Sequence, residues 1–324
     1  MGVGILKNAE MYWTGALRAL TKGFTAMKIE DCVKEFVLEG QIAGRSKSTL
    51  KSYKNIPSAF ARWCEEQGIT EIESVRHTTV KAYVMSFVER GCKNSTTNAM
   101  LRVLRLFLGY CTEEGYCEVD TDSKAFKKLR EEKTIVKPFT RAQVKTLLDS
   151  CSGHTYIDVR DYALLVCLFE SGMRCFELCN LKPENIYEDY IEVERGKFSK
   201  SRFVPFTPAM KKAFMRYDRV KASYFADRVT EPYYFLSRTG RILTNTTVEN
   251  MMKARGAEIK GVRVSPHTAR HTAAQTWLKS GIDLYSCSML LGHSSTSVTQ
   301  TYLRGISAAE VATMAKNHSV LLNL

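Results

Sequence analysis

The chain has 324 residues, 44% hydrophobic and 25% charged, which is enough apolar material for two globular domains, each with its own core. This composition excludes a disordered or fibrous protein. The formal net charge is +13, and the commonest reason for such an excess is the neutralisation of phosphates. Nucleic acid is therefore the leading class of partner, and a merely well-solvated basic surface is the alternative.

The ten cysteines are scattered singly, and none forms the Cys-x-x-Cys pairs of zinc ribbons or thioredoxin-like sites. Apolar neighbours around Cys175 and Cys179 indicate small buried side chains rather than metal ligands. The first residues, MGVGILKNAEMYW, lack the apolar core of a signal peptide, and no run approaches membrane-spanning length. We therefore expect a cytoplasmic protein with reduced thiols and no membrane partner.

Residues 1–26 are interpreted as an N-terminal extension, and residues 27–120 as an all-α domain. Apolar residues at three- and four-residue spacing predict helices at 27–39, 49–67, 79–90 and 95–114. Five basic residues lie off the apolar stripes of these helices, where they could face DNA or simply water: Lys47, Lys51, Lys54, Arg102 and Arg105.

The charged segment 121–137 is interpreted as an interdomain linker, because Pro138 and Thr140 announce a new helix. The C-terminal domain, residues 138–324, is predicted to be mainly α with a small antiparallel sheet. Its two strands are YIEVE and RFVPF, separated by RGKFSKS. The predicted helices lie near 140–151, 158–171, from 174, from 208, 246–260, 266–280, 284–291, 296–303 and from 307.

Arg174 and Glu177 are three residues apart after an apolar helix, so both side chains emerge on one helical face. Taken alone, this pair is better explained as a surface ion pair than as part of a functional site. The segment SPHTARH is more informative, because Ser265 and Pro266 suit a helix start, and His267 and Arg270 follow within the first turn. Backbone N–H groups at a helix N-terminus already favour an anion such as phosphate.

A zinc site is the competing interpretation of that segment, because His267 and His271 are four residues apart on a helix. Thr268 occupies the position where a metalloprotease needs its general base Glu, and no third ligand is obvious, so we predict no metal. Further along, His293 follows Gly292 in LLGHS, and Tyr302 comes nine residues later in TQTYLR. Each of these is usually structural when it occurs alone, so their combination carries the argument.

In that combination the chain resembles the tyrosine recombinase, or phage integrase, family, and most closely its compact Xer-like members. The segments that carry the resemblance are ESGMRCFELCNL, RGKFSKSRFVPF, SPHTARHT, and LLGHSS followed by TYLR, in the family's order and near its spacing. The helical first half looks more loosely like the family's core-DNA-binding domain, a SAM-like bundle. The resemblance implies site-specific recombination through a covalent 3′-phosphotyrosine, with no metal, ATP or other cofactor.

The resemblance also assigns roles. Arg174 and Arg270 would clamp the scissile phosphate, His293 would hydrogen-bond one of its oxygens, and Tyr302 would attack phosphorus. His267 would assist removal of the proton from Tyr302, and Glu177 would orient Arg174 or His267. The general acid would be Lys197, with Lys200 as the alternative because Phe198 stands where the family usually has Gly. Lys200 and Arg202 are also candidate DNA contacts.

The partners implied by the resemblance are double-stranded DNA with an inverted-repeat core site and a homotetramer on two such sites. The tail, residues 307–324, would be exchanged in trans, although folding onto its own domain is the alternative. An accessory bending or directionality factor could take part. Competing functions are a type IB topoisomerase and a catalytically silent DNA-binding factor. Chain length and cysteine content favour a mobile-element enzyme over a housekeeping recombinase; integration, excision, inversion and dimer resolution all use the same chemistry.

Overall fold

The computed structural model describes residues 27–131, 136–194, 201–293 and 295–303. The chain divides into two compact units, Met1–Lys133 and Thr134–Leu324. The first is helical and the second is mainly helical with one small antiparallel sheet, which confirms the predicted fold class. In the described parts of the chain, no helix has the length and apolar character needed to cross a membrane.

The described part of the N-terminal unit, from residue 27 onward, contains four α-helices with buried apolar stripes. They are α1 (Ile29–Ile42), α2 (Lys47–Glu66), α3 (His77–Glu89) and α4 (Asn94–Glu113). Ser46 begins α2 by accepting a hydrogen bond from the backbone N–H of Thr49, as an N-cap residue does. The core is centred on Phe60, Leu104 and Phe107, which are fully buried.

The segment that follows α4 packs against the same unit. A short 3-10 helix, Lys124–Phe126, adds Phe126 to the N-terminal core. Asn98 on α4 then holds the next stretch, because its amide donates to the Leu129 carbonyl (2.9 Å) and accepts from the Leu129 N–H (2.8 Å). The first part of the segment predicted as a linker is thus attached to α4, since its polar backbone atoms find partners there.

The C-terminal unit is built around α6, whose residues are buried on most sides. Its helices are α5 (Arg141–Asp149), α6 (Tyr156–Ser171), α7 (Cys175–Cys179), α8 (Pro208–Tyr224), α9 (Asn245–Arg255), α10 (Pro266–Lys279), α11 (Leu284–Leu291) and α12 (Thr296–Leu303). Side-chain oxygens of Thr140, Thr155, Thr207 and Ser265 cap α5, α6, α8 and α10. The helix predicted from residue 307 lies outside the described residues.

Two strands form the sheet, β1 (Tyr190–Val193) and β2 (Arg202–Pro205). They pair antiparallel, with Tyr190 opposite Pro205 and Val193 opposite Arg202. Burial alternates along both strands, so that Val204 and Arg202 point to the interior and the residues between them point outward. This alternation directs Arg202 towards the candidate site.

All ten cysteines are free thiols in the structure. Eight are buried, and Cys92 and Cys175 are partly exposed. Burial raises the pKa of Cys64 and of Cys167 to about 12, which keeps these thiols protonated and unreactive. The buried cysteines, Cys179 among them, therefore act as small apolar side chains as predicted, whereas Cys175 is partly exposed rather than buried.

Candidate active site

The N-terminus of α10 presents two of the predicted site residues. Ser265 accepts a hydrogen bond from the Thr268 N–H at 3.2 Å, and Pro266 occupies the first turn, where its missing N–H costs nothing. His267 is exposed, whereas Arg270 is only 3% exposed. The pKa of His267 is lowered by desolvation and by the cations Arg270 and Arg263, which favours a neutral ring able to accept a proton.

Arg270 is held by main-chain carbonyl groups. Its Nη1 donates to the Gly172 carbonyl at 2.7 Å, and its Nη2 donates to the Leu291 carbonyl at 2.6 Å. Burial, followed by the nearby Arg174, lowers the pKa of Arg270 to about 10, while Tyr302 and Glu177 act in the opposite direction. Arg270 therefore keeps its positive charge at neutral pH and its guanidinium in a fixed place.

Gly172 ends α6 in the left-handed region, with φ of +58°. A Cβ at this position would lie 3.0 Å from the Trp277 ring and 3.1 Å from the Leu291 side chain. Both the backbone conformation and the space therefore require glycine. The turn it makes aims the carbonyl of Gly172 at Arg270 and leads directly into Arg174.

Arg174 precedes α7 and is the more accessible of the two site arginines, with its side chain 44% exposed. Its Nη1 donates to Glu177 Oε1 at 2.9 Å and its Nη2 donates to the Gly292 carbonyl at 3.2 Å. The Arg174 backbone N–H also donates to Glu177 Oε2, at 2.7 Å. The pair predicted from the sequence is thus formed, and Glu177 fixes both the main chain and the side chain of Arg174.

Glu177 is in turn clamped by Arg202, whose Nη1 and Nη2 donate to its two carboxylate oxygens at 2.8 Å and 2.7 Å. Burial alone would raise the pKa of Glu177, but hydrogen bonds and charge from Arg202, with help from Arg174, bring it down to about 2. The Nε of Arg202 donates to the Leu290 carbonyl at 2.8 Å. Buried and fully engaged in this way, Arg202 supports Glu177, which differs from the DNA contact expected from the sequence.

His293 lies between α11 and α12, immediately after Gly292, which ends α11 with φ of +67°. Its Nε2 accepts a hydrogen bond from Arg270 Nη2 at 2.9 Å, and its Nδ1 lies 2.8 Å from Thr299 Oγ1. The predicted phosphate ligands Arg270 and His293, 23 residues apart in the chain, are therefore in direct contact. Arg174 joins them through the carbonyl of Gly292, next to His293.

Tyr302, on α12, packs beside this cluster and is 3% exposed. Its ring stacks on His293 at 5.9 Å between centroids and meets the His271 ring edge-on at 4.3 Å. Gln275 Nε2 donates to the Tyr302 carbonyl at 3.2 Å, which ties α12 to α10. The predicted nucleophile and the predicted phosphate ligands thus form one cluster.

His271 is a site residue whose place the sequence argument did not foresee. It is 7% exposed, and its Nδ1 has no hydrogen-bond partner among the described residues. Burial, together with His267 and Arg270, lowers the pKa of His271 to about 4, so the ring is neutral at pH 7. Among the described residues, no group of three or more His, Cys, Asp or Glu side chains is arranged to hold a metal ion.

The remaining predicted residues are placed as follows. Lys197 and Lys200 fall in 195–200, outside the described residues. Lys47 and Lys51 are exposed near the start of α2. Arg102 and Arg105 are exposed on α4 and line a depression of about 360 Å³, where Arg105 pairs with Asp122. Their contact with DNA stays a prediction.

Comparison with known proteins places the chain in a family. Residues 137–307 match the model of the phage integrase family, and residues 34–115 match the phage integrase N-terminal SAM-like domain. Tyrosine recombinase XerC of Oceanobacillus iheyensis is 32% identical over 268 residues, which cover 79% of this chain and 85% of the relative. The chain belongs to the phage integrase family. As a tyrosine recombinase, it catalyses site-specific cleavage and rejoining of DNA.

Other relatives of this integrase-family chain include XerC of Bacillus pumilus, 30% identical over 79% of this chain and 86% of the relative. XerA of Pyrococcus furiosus is 26% identical over 91% of this chain and 96% of the relative. The fold is shared with the Tn1549 transposon integrase in complex with a circular intermediate DNA, at a TM-score of 0.68 and 18% identity, over 91% of this chain and all of that one. It is also shared with a lambda integrase dimer bound to a COC′ core site, at a TM-score of 0.66 and 16% identity, over 87% of this chain and 97% of that one.

Proposed function

We propose that this recombinase cleaves DNA with Tyr302 while Arg174, Arg270 and His293 hold the scissile phosphate. The observation that carries the proposal is the contact of Arg270 with His293 at 2.9 Å, with the Tyr302 ring stacked on the same histidine. Three separate motifs thereby supply two cations, an imidazole and a phenol at one place. A pentacoordinate phosphorus with growing negative charge is the species that such a set stabilises.

The proposed step forms a bond from Tyr302 Oη to phosphorus and breaks the bond from phosphorus to the 5′ oxygen. The phenol proton passes to His267, whose neutral form is favoured by the lowering of its pKa. The leaving 5′ oxygen takes a proton from Lys197, with Lys200 as the alternative. The resulting 3′-phosphotyrosine keeps the energy of the broken phosphodiester, so that attack by a 5′ hydroxyl reverses the step.

A phenol with an ordinary pKa near 10 is a weak nucleophile at neutral pH. Arg270, buried and still positively charged, lies close enough to Tyr302 for the two groups to attract each other. This attraction stabilises the negative charge that develops on the Tyr302 oxygen and the phosphate during attack. Glu177 contributes by holding Arg174, as its two hydrogen bonds to that residue support.

The proposed substrate is double-stranded DNA with an inverted-repeat core site, bound by a homotetramer on two sites. The excess of positive charge, +13, fits a protein that neutralises many phosphates. The family relation supports exchange of residues 307–324 between protomers. Deletion of these residues should leave binding of one DNA site intact and abolish recombination; normal recombination by the truncated protein would contradict the exchange.

Covalent trapping tests the proposed chemistry. Wild-type protein and the Tyr302→Phe variant are incubated with nicked fragments of the source DNA and denatured, and the DNA that stays attached is sequenced. We expect only the wild type to retain DNA, and the fragments to share an inverted repeat. The origin of that repeat also shows whether the target is the end of a mobile element or a chromosomal site.

Two other results would favour the competing functions. Tight binding of one sequence without trapping by either protein would indicate a catalytically silent DNA-binding factor. Relaxation of supercoiled plasmid without a preferred sequence would indicate a topoisomerase. The matched control is Tyr285→Phe, an exposed tyrosine on α11, which should trap DNA as the wild type does.

A further inference from the structure

The ring of His293 is fixed on both of its nitrogen atoms. Arg270 can only donate hydrogen bonds, so the Nε2 atom that it contacts at 2.9 Å must be an acceptor without a proton. The proton of the neutral ring therefore lies on Nδ1, which donates to Thr299 Oγ1 at 2.8 Å. Thr299 is completely buried, so that water does not compete for this contact.

The proposed role of His293 requires the opposite protonation at Nε2, the nitrogen that would face the phosphate. To donate to a phosphate oxygen, the ring needs a proton on Nε2. It can gain one by becoming an imidazolium, in which Nδ1 still donates, or by moving its proton, after which Nδ1 must accept. A hydroxyl group serves in both cases, because it can accept from Nδ1 or donate to it. A methyl group serves in neither case.

We infer that Thr299 is a positioning residue for strand cleavage, which holds the His293 ring in place and satisfies Nδ1 in whichever protonation state the bound phosphate selects. This inference rests on the proposed role of His293. Thr299 lies on α12 three residues before Tyr302, so the same hydrogen bond connects the phosphate ligand to the helix of the nucleophile. A hydrogen-bond partner that contacts the histidine, and not the ligand, commonly sets the ring orientation and tautomer of a functional histidine.

Thr299→Val removes the hydroxyl with little change in shape, and Thr299→Ser keeps it. The matched control is Thr301→Val, because Thr301 is exposed on the same helix and its hydroxyl donates to the Val298 carbonyl. Single-turnover cleavage is measured on the core site recovered by trapping, and DNA affinity is measured separately. We expect Thr299→Val to cleave at least tenfold more slowly with unchanged affinity, and Thr299→Ser and Thr301→Val to stay within about threefold of the wild type.

A double-variant comparison separates positioning from mere stability. If Thr299 acts through His293, Thr299→Val slows a His293→Ala protein no further. Equal slowing in both backgrounds, wild-type cleavage by Thr299→Val, or failure of Thr299→Ser to restore cleavage would each overturn the inference. If His293→Ala itself cleaves normally, the proposed function of His293 fails instead.

Nitrogen-15 NMR of the DNA-free protein tests the hydrogen bond without any activity measurement. We expect the His293 ring of the wild type and of Thr299→Ser to carry its proton on Nδ1. The Thr299→Val ring should show a mixture of tautomers or a weakened Nδ1 hydrogen bond. An unchanged His293 signal in Thr299→Val would refute the role of the hydroxyl, whatever the outcome of the cleavage experiments.

Discussion

The guanidinium of Arg202 and the carboxylate of Glu177 form two parallel hydrogen bonds in the interior of the C-terminal unit, at 2.8 Å and 2.7 Å. Both side chains are more than nine-tenths buried. Glu177 passes this constraint on to Arg174. The accessible arginine of the site therefore depends on a buried arginine, Arg202, whose guanidinium hydrogen-bonds to Glu177 and to the Leu290 carbonyl.

Arg202→Ala should destabilise the C-terminal unit by about 3–5 kcal/mol, because it leaves the Glu177 carboxylate buried without its main partner. Denaturant unfolding measures the loss. DNA binding by the folded fraction should keep its salt dependence, since no phosphate contact is removed. A DNA-contact role for Arg202 predicts the reverse, namely normal stability and a salt slope smaller by about one. Arg238→Ala, at an exposed position, is the control.

The stability of the protein should fall as the pH decreases from about 6.5 to about 4, owing in part to His271. Its pKa is about 4 in the folded protein, below the ordinary value near 6.5, so the unfolded chain binds the proton first. The contribution of His271 to the free energy of unfolding is therefore fully present above pH 6.5. Roughly 3 kcal/mol of it is lost as the pH falls to 4. His271→Gln should show a clearly smaller decline in the free energy of unfolding between pH 7 and pH 4.5; an equal decline would contradict this assignment.

Gly172→Ala should impair both stability and cleavage. The left-handed conformation costs a non-glycine residue roughly 1–2 kcal/mol, and the new Cβ presses on Trp277 and Leu291. Because the Gly172 carbonyl holds Arg270, we expect the cleavage rate to fall at least tenfold. Gly261→Ala is the control, since Gly261 has φ of +80° but open space around it. Gly261→Ala should lose stability without losing cleavage activity. A similar loss of cleavage in both variants would contradict the role of the Gly172 carbonyl in holding Arg270.

The choice between Lys197 and Lys200 can be made with a modified leaving group. Replacing the bridging 5′ oxygen by sulfur gives a thiolate that departs without a proton, because a thiol is far more acidic than an alcohol. We expect Lys197→Ala to cleave ordinary DNA very slowly and the sulfur substrate at nearly the wild-type rate. Lys200→Ala should cleave both at similar rates. If the sulfur substrate restores cleavage only in Lys200→Ala, then Lys200 and not Lys197 is the general acid.

Most of the fold could be predicted from the sequence, because apolar spacing and caps are local signals. The predicted helices at 266–280, 284–291 and 296–303 agree with α10, α11 and α12 within one residue at each end. The contacts inside the site could not be predicted in the same way, because they join residues distant in the chain. The bond between Arg270 and His293 depends on how α10 and α11 pack, which no local pattern encodes.

Two buried residues of the site nevertheless had a local signal. The alternation along β2 puts Arg202 on the same side as Val204, which is the interior side. On α10, His271 shares a face with Ala274 and Leu278, three and seven residues later, and both of these are buried. In the sequence, Arg202 is interpreted as a DNA contact and His271 is weighed only as a zinc ligand, whereas the position of each within its repeat indicates the core.

The clamp on Arg270 has a consequence for the tolerance of this site to mutation. Two of its acceptors are the carbonyl oxygens of Gly172 and Leu291, which belong to the main chain. Every residue type carries such an oxygen, so a substitution at position 291 changes the packing but cannot delete the acceptor. The hydrogen bond from Arg270 to position 291 therefore does not depend on which side chain that position carries, whereas position 172 still requires glycine for its backbone conformation.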